Sequence, residues 1–235
     1  MLVEELKETM FFKVAWLVMR KDMMVELRTR ELLYTTLFFA ASCVLVFAFG
    51  FVHDGRAISD AVAGILWIAI AFTGTLALGR TFERERYNDV IGALLIAPVD
   101  RPAIYVGKLL GIIGLMGLVE IVIVPLVALL FQAPLLSSHF GLNVMLLVSG
   151  TIGFAAVGTL FAAMLVNTRN RNVLLPVLLY PITIPVIIGG VQGTAALLQP
   201  ESDPLMAQAW IGMLVFFDAV FITLALWTFE PVMTE

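Results

Sequence analysis

The 235-residue chain is 61% hydrophobic and 14% charged, with a net charge of −4 at neutral pH. Soluble domains are roughly 45–50% apolar, so this chain would expose more apolar surface than water tolerates, and its solvent is lipid. The negative balance excludes a general nucleic-acid-binding surface.

Taken from the N-terminus, the segment before Leu32 carries twelve charged residues. It lacks the short apolar core and small-residue cleavage site of a signal peptide, so the first span is read as retained. Met10, Phe11, Val14, Leu17 and Val18 share a helical face. Residues 9–30 therefore read as an interfacial helix, the alternative being a helix packed on another subunit.

A hydrocarbon core of about 30 Å needs about 20 apolar residues per helix. Six such runs follow, at 32–52, 61–81, 109–131, 142–166, 173–198 and 208–228. The expected fold is an all-α membrane protein. Residues 1–31 form the N-terminal segment and 32–235 a six-span transmembrane domain, with a charged loop at 82–108. No water-soluble domain fits in what remains.

The basic residues give the orientation. Lys7, Lys13, Arg20, Lys21, Arg28 and Arg30 precede the first span; Arg80, Arg84, Arg86, Arg101 and Lys108 flank the second connection; Arg169 and Arg171 sit in the fourth. Only Arg56 lies on the other side, so thirteen of fourteen cationic residues share one side. The positive-inside rule then makes both termini and the 82–108 loop cytoplasmic. Trp210 and Trp227 stand 17 residues apart, about 25 Å of helix, as aromatic anchors at two membrane interfaces would.

Small residues recur at four-residue spacing in Ala71, Thr75 and Gly79, in Gly107 and Gly111, and in Thr151, Ala155, Thr159 and Ala163. Such stripes allow close helix approach, either within the bundle or along a homodimer seam. The fifth span contains Pro176, Pro181 and Pro185 followed by Gly189 and Gly190. A helical ladder that loses several donors predicts a bent or broken helix, and these residues are hinge candidates. Cys43 stands alone inside the first span and reads as a packing residue.

The stretch ERERYNDVIGALLIAPVDRPAIYVGK is a charged island in an apolar chain. Tyr87, Val90, Ile91, Leu94 and Leu95 recur at helical spacing, and Pro98 and Pro102 bracket a turn holding Asp100 and Arg101. The pattern predicts a short amphipathic helix and a hinge tied to the second and third spans. Such a handle implies a partner that grips it.

This loop, the helix before the first span and the four spans after it resemble the membrane subunit of ABC-2-type transporters. Together with LLPVLLYPITIPVIIGG at 174–190, they are most similar to the CcmB family. The resemblance runs from about Phe11 to Trp227 and departs at Gly92, where it would place an acidic residue. It implies a haem exporter permease of cytochrome c maturation in the bacterial inner membrane, with haem as the possible cargo. Arg84, Glu85, Tyr87, Val90, Ile91, Leu94, Leu95, Pro98, Asp100 and Arg101 would be its ATPase-coupling residues. The implied partners are a CcmA-like ATPase and CcmC-, CcmD- and CcmE-like proteins, the last a haem chaperone.

The chain has no nucleotide site of its own. Its one Gly-Lys pair, Gly107-Lys108, has Pro102 where a P-loop needs its first glycine and Leu109 where it needs Ser or Thr. ATP would be hydrolysed on a separate chain. Glu120 and Asp218 lie near the middle of the third and sixth spans, where carboxyls are costly. They read either as acids hydrogen-bonded to neighbouring helices or as a polar path. His53 and His139 fall in outer connections and are candidate axial haem ligands, with ordinary loop histidines as the alternative. There is no HExxH, no paired carboxylate at a catalytic spacing and no nucleophile with an evident base, so the chain is not expected to be an enzyme.

The leading expectation is the permease subunit of an ABC transporter that moves haem or releases haem-loaded chaperone. Two alternatives stand beside it. One is an ABC-2-type permease for a lipid, glycan or drug; the other is a proton-coupled secondary transporter using Glu120 and Asp218.

Overall fold

The computed structural model describes residues 2–53, 56–57, 59–87, 101–136, 139–166, 168, 170–199 and 201–232. Among them are seven helices: α1 (Leu2–Thr29), α2 (Glu31–Phe51), α3 (Ser59–Tyr87), α4 (Arg101–Phe131), α5 (Phe140–Met164), α6 (Arg171–Leu198) and α7 (Pro204–Val232). A two-residue antiparallel bridge joins β1 (Val52–His53) to β2 (Arg56–Ala57), pairing Val52 with Ala57 and His53 with Arg56. The described residues are all-α apart from that bridge.

Helices α2 to α7 are each long and apolar enough to cross a membrane, which gives the six spans expected from hydropathy. The third span begins earlier than hydropathy suggests, at Arg101 rather than residue 109. Pro102 falls in the first turn of α4, where its missing N–H has no intrahelical partner to lose, so the helix starts through it.

Helix α5 packs against α3, α4, α6 and α7, and α3 also touches α2, α4 and α6. Small residues make this possible. Trp67 of α3, only 2% exposed, wedges between α5 and α6. A Cβ placed at Gly150 would stand 2.1 Å from its ring, and one at Gly190 2.3 Å. Its indole Nε1 donates to Thr194 Oγ1 at 3.0 Å, so the one polar atom of the wedge is satisfied. Leu78 fills the gap over Gly158, and Phe154 with Met116 the gap over Gly74. Ala71, Thr151, Ala155, Thr159 and Ala163 are buried within the chain, so these stripes serve its own bundle.

The fifth span, expected to be bent or broken, is not broken. Helix α6 runs as one helix through Pro176, Pro181 and Pro185. Pro181 and Pro185 lie on its exposed face, while Leu179, Thr183, Val186, Gly189 and Gly190 form the buried one. Each proline removes one donor, and the remaining ladder carries the helix through all three.

Helix α1 meets α2 at a sharp elbow. Arg30 adopts a left-handed conformation, φ 55°. Glu26 Oε1 accepts the Leu33 N–H at 2.7 Å, so the last turn of one helix caps the first turn of the next.

Candidate functional site

The coupling candidates Val90, Ile91, Leu94, Leu95, Pro98 and Asp100 lie outside the described residues, as do the side chains of Arg84, Glu85 and Tyr87. The two helices that lead into and out of the loop are described. Helix α3 has 29 residues and α4 has 31, about 43 and 46 Å of helix against a hydrocarbon core of about 30 Å. Both overshoot the core. Arg101, half-buried, is the first residue of α4.

The first turns of α4 are fastened on several sides. Tyr105 is fully buried; its hydroxyl donates to the Ala156 carbonyl of α5 at 3.0 Å, and its ring packs 5.3 Å from that of Phe229 on α7. Lys108, 3% exposed, donates from Nζ to Asp22 Oδ2 of α1 at 2.7 Å, and Asp22 also pairs with Lys21 at 3.0 Å. Between these groups Gly107 admits α1 so closely that an added Cβ would stand 2.6 Å from the Ala15 carbonyl oxygen. On the neighbouring helix Arg171 Nη2 donates to the Gly79 carbonyl at 2.6 Å, tying the start of α6 to α3.

Sequence reading missed the contacts of Tyr105 and the pairing of Asp22 with Lys108. The available signal was Lys108 itself, the one charged residue between Arg101 and Glu120 in this helix. The apolar face expected for α1 is also divided. Ala15 and Val18 are buried with Glu26, whereas Met10 and Leu17 point outward. Glu26 joins the inner face because the Leu33 amide meets its carboxylate, and Asp22 leans onto α4 because Lys108 does.

At mid-depth the two intramembrane acids are separate. Glu120 accepts a hydrogen bond from Thr151 Oγ1 and borders a cavity of about 10 Å³ with Thr73, Met116 and Ile123. Asp218 is 7% exposed and lies over Gly153, and its Oδ1 makes no hydrogen bond among the described residues. Thr151 and Gly153 are two positions apart on α5, about 200° around the helix. The acids thus flank opposite sides of α5 and do not form a dyad.

At the far end His139 takes a left-handed conformation at the start of α5, φ 51° and ψ 37°. Its Nε2 lies 3.3 Å from Ser202 Oγ, which brings together the connections before α5 and before α7. The side chain of His53 lies outside the described set. Among the described residues no group of three or more His, Cys, Asp or Glu could hold a metal ion.

Comparison with known proteins follows the same outline. The family model described as "CcmB protein" matches residues 13–233. The chain is 27% identical to "Heme exporter protein B" of Rhodobacter capsulatus over 181 residues, covering 77% of this chain and 80% of the relative. It is 29% identical to the protein of the same name from Paracoccus denitrificans over 197 residues, covering 80% and 83%. The Bradyrhizobium diazoefficiens protein of that name is 24% identical over 181 residues, covering 77% and 81%. With a family match over residues 13–233 and six helices long and apolar enough to cross a membrane, this chain belongs to the CcmB family.

Proposed function

We propose that this protein is the membrane-spanning permease subunit of an ABC transporter for c-type cytochrome biogenesis, moving haem or releasing haem-loaded chaperone. ATP is hydrolysed by a separate CcmA-like subunit, and CcmC-, CcmD- and CcmE-like proteins complete the assembly. The permease sits in the bacterial inner membrane with both termini cytoplasmic, and it contributes transport rather than chemistry. Haem enters this reading as cargo, as the names of the relatives suggest.

The observation that carries the reading is the geometry around residues 88–100. Two overlong helices enter and leave this segment, and the first turns of α4 are fastened to α1, α5 and α7. A push on such a stem is delivered to several helices at once, as an ATPase-driven permease requires. The apolar positions Val90, Ile91, Leu94 and Leu95 would seat in the ATPase, with Arg84, Glu85, Tyr87, Pro98, Asp100 and Arg101 around them. Pro176, Pro181, Pro185, Gly189 and Gly190 are the proposed flexing positions, and His139 and His53 the proposed contacts for haem at the outer face.

The test is co-purification in mild detergent. The intact protein should bring down its ATPase, and Leu94→Asp with Leu95→Asp should lose it while reaching the membrane at normal levels. Retention of the ATPase by that variant would move the apolar stripe to lipid or to the protein's own bundle.

A further inference from the structure

Helix α1 does more than precede the first span. Its contacts with α4 advance in step: Ala15 and Val18 meet Gly107, Asp22 meets Gly111, and Met23 meets Gly114. The two helices therefore run alongside one another in the same direction. Glycine at position 107 lets the two backbones close up, and the Asp22–Lys108 ion pair fixes their register from an environment where Lys108 is almost fully buried. A buried ion pair is poor evidence of stability but a good device for specifying one arrangement.

The other end of α1 is fastened equally firmly. Glu26 holds the Leu33 amide, the Arg30 amide donates to the Glu26 carbonyl at 2.6 Å, and Leu32 packs in a small cluster with Ala77 of α3 and Leu115 of α4. A helix pinned to α4 along one stretch and to α2 at its end transmits motion between them.

We propose that α1 is a strap that carries displacement of the first turns of α4 to the start of α2, with Asp22 and Lys108 as its positioning residues. This rests on the transport reading above, and it adds a path by which the stem moves the first span as well as its own.

The experiment uses the full protein, expressed with its partners in a Cys43→Ser background. Asp22→Asn removes the charge that sets the register. Cytochrome c maturation should then fall by about tenfold, while membrane level and ATPase co-purification change by less than about twofold. Exchanging the charges, Asp22→Lys with Lys108→Asp, should restore most of the activity. A covalent replacement gives a second readout: the Asp22 Cβ lies 3.7 Å from where a Cβ at Gly111 would stand, inside the range for a disulfide. Asp22→Cys with Gly111→Cys and Lys108→Met should support haem-loaded chaperone release in inverted vesicles when oxidised and lose it when reduced.

Full activity of Asp22→Asn with the ATPase bound overturns the strap alone. So does a loss of activity that only tracks a loss of membrane level, or a variant that works reduced and stops when crosslinked. Maturation by wild-type protein with no ATPase bound overturns the transport reading and the strap with it.

Discussion

The contact of α1 with α4 and the seam where α3 meets α5 and α6 both depend on glycines, yet they are held in different ways. Along α1 and α4 the glycines admit a helix and the register is set by charge, Asp22 with Lys108. In the α3 seam Gly150 and Gly190 admit a single indole, and the register is set by shape, with one neutral hydrogen bond from Trp67 to Thr194. A shape-filled seam needs no polar group beyond the one it satisfies, which suits hydrocarbon, where an unpaired polar atom is costly. A buried charge pair is specific but costly, since each charge needs its partner to offset its desolvation. The shape-filled seam resists sliding in any direction; the charged contact resists it only while both charges are present.

The largest effect should come from filling the indole socket. Gly190→Leu puts a side chain where even a Cβ lies 2.3 Å from the Trp67 ring, and the cost should exceed about 3 kcal/mol, beyond ordinary overpacking. Thermal melting in detergent should show no cooperative transition, and adding Trp67→Ala should partly restore one. Next comes Tyr105→Ala, which empties a fully buried ring site between α4, α5 and α7 and should cost about 3 kcal/mol by the same measurement.

Smaller still is Asp22→Asn. Because Asp22 is 17% exposed and the amide oxygen still accepts from Lys108, the stability loss should stay below the roughly 3–5 kcal/mol of a buried charge left with no partner. The smallest change should come from Asp22→Leu with Lys108→Met, which removes both charges and should leave the melting temperature nearly unchanged. If the apolar pair were as destabilising as Gly190→Leu, charge would be holding the α1 contact together and not merely setting its register.

Hydropathy and the positions of Lys and Arg made the spans and their number legible, since each crossing needs its own apolar run. The start of α4 was less so. Pro98 and Pro102 both read as turn residues, but a proline in the first turn of a helix is compatible with either side of the boundary. Proline chemistry is local in a similar way: each ring removes one donor from its own ladder, and whether that interrupts a helix of 28 residues depends on the bonds that remain. Asp22 and Lys108 stand 86 positions apart, and nothing periodic links them. Gly150 and Gly190 are visible as small residues, but the tryptophan they accept is not visible from either. The separation of Glu120 and Asp218 by α5 was likewise unreadable, because it depends on which helix lies between them.

The most direct test of the transport account measures release of haem-loaded chaperone from inverted vesicles holding the whole complex, with the partner's phosphate-binding lysine intact or replaced. The account predicts ATP-dependent release that falls to background when that lysine is replaced and persists when a proton gradient is collapsed. Release that survives loss of ATP hydrolysis, follows the proton gradient and vanishes with Glu120→Gln and Asp218→Asn would contradict it and establish a proton-coupled transporter instead.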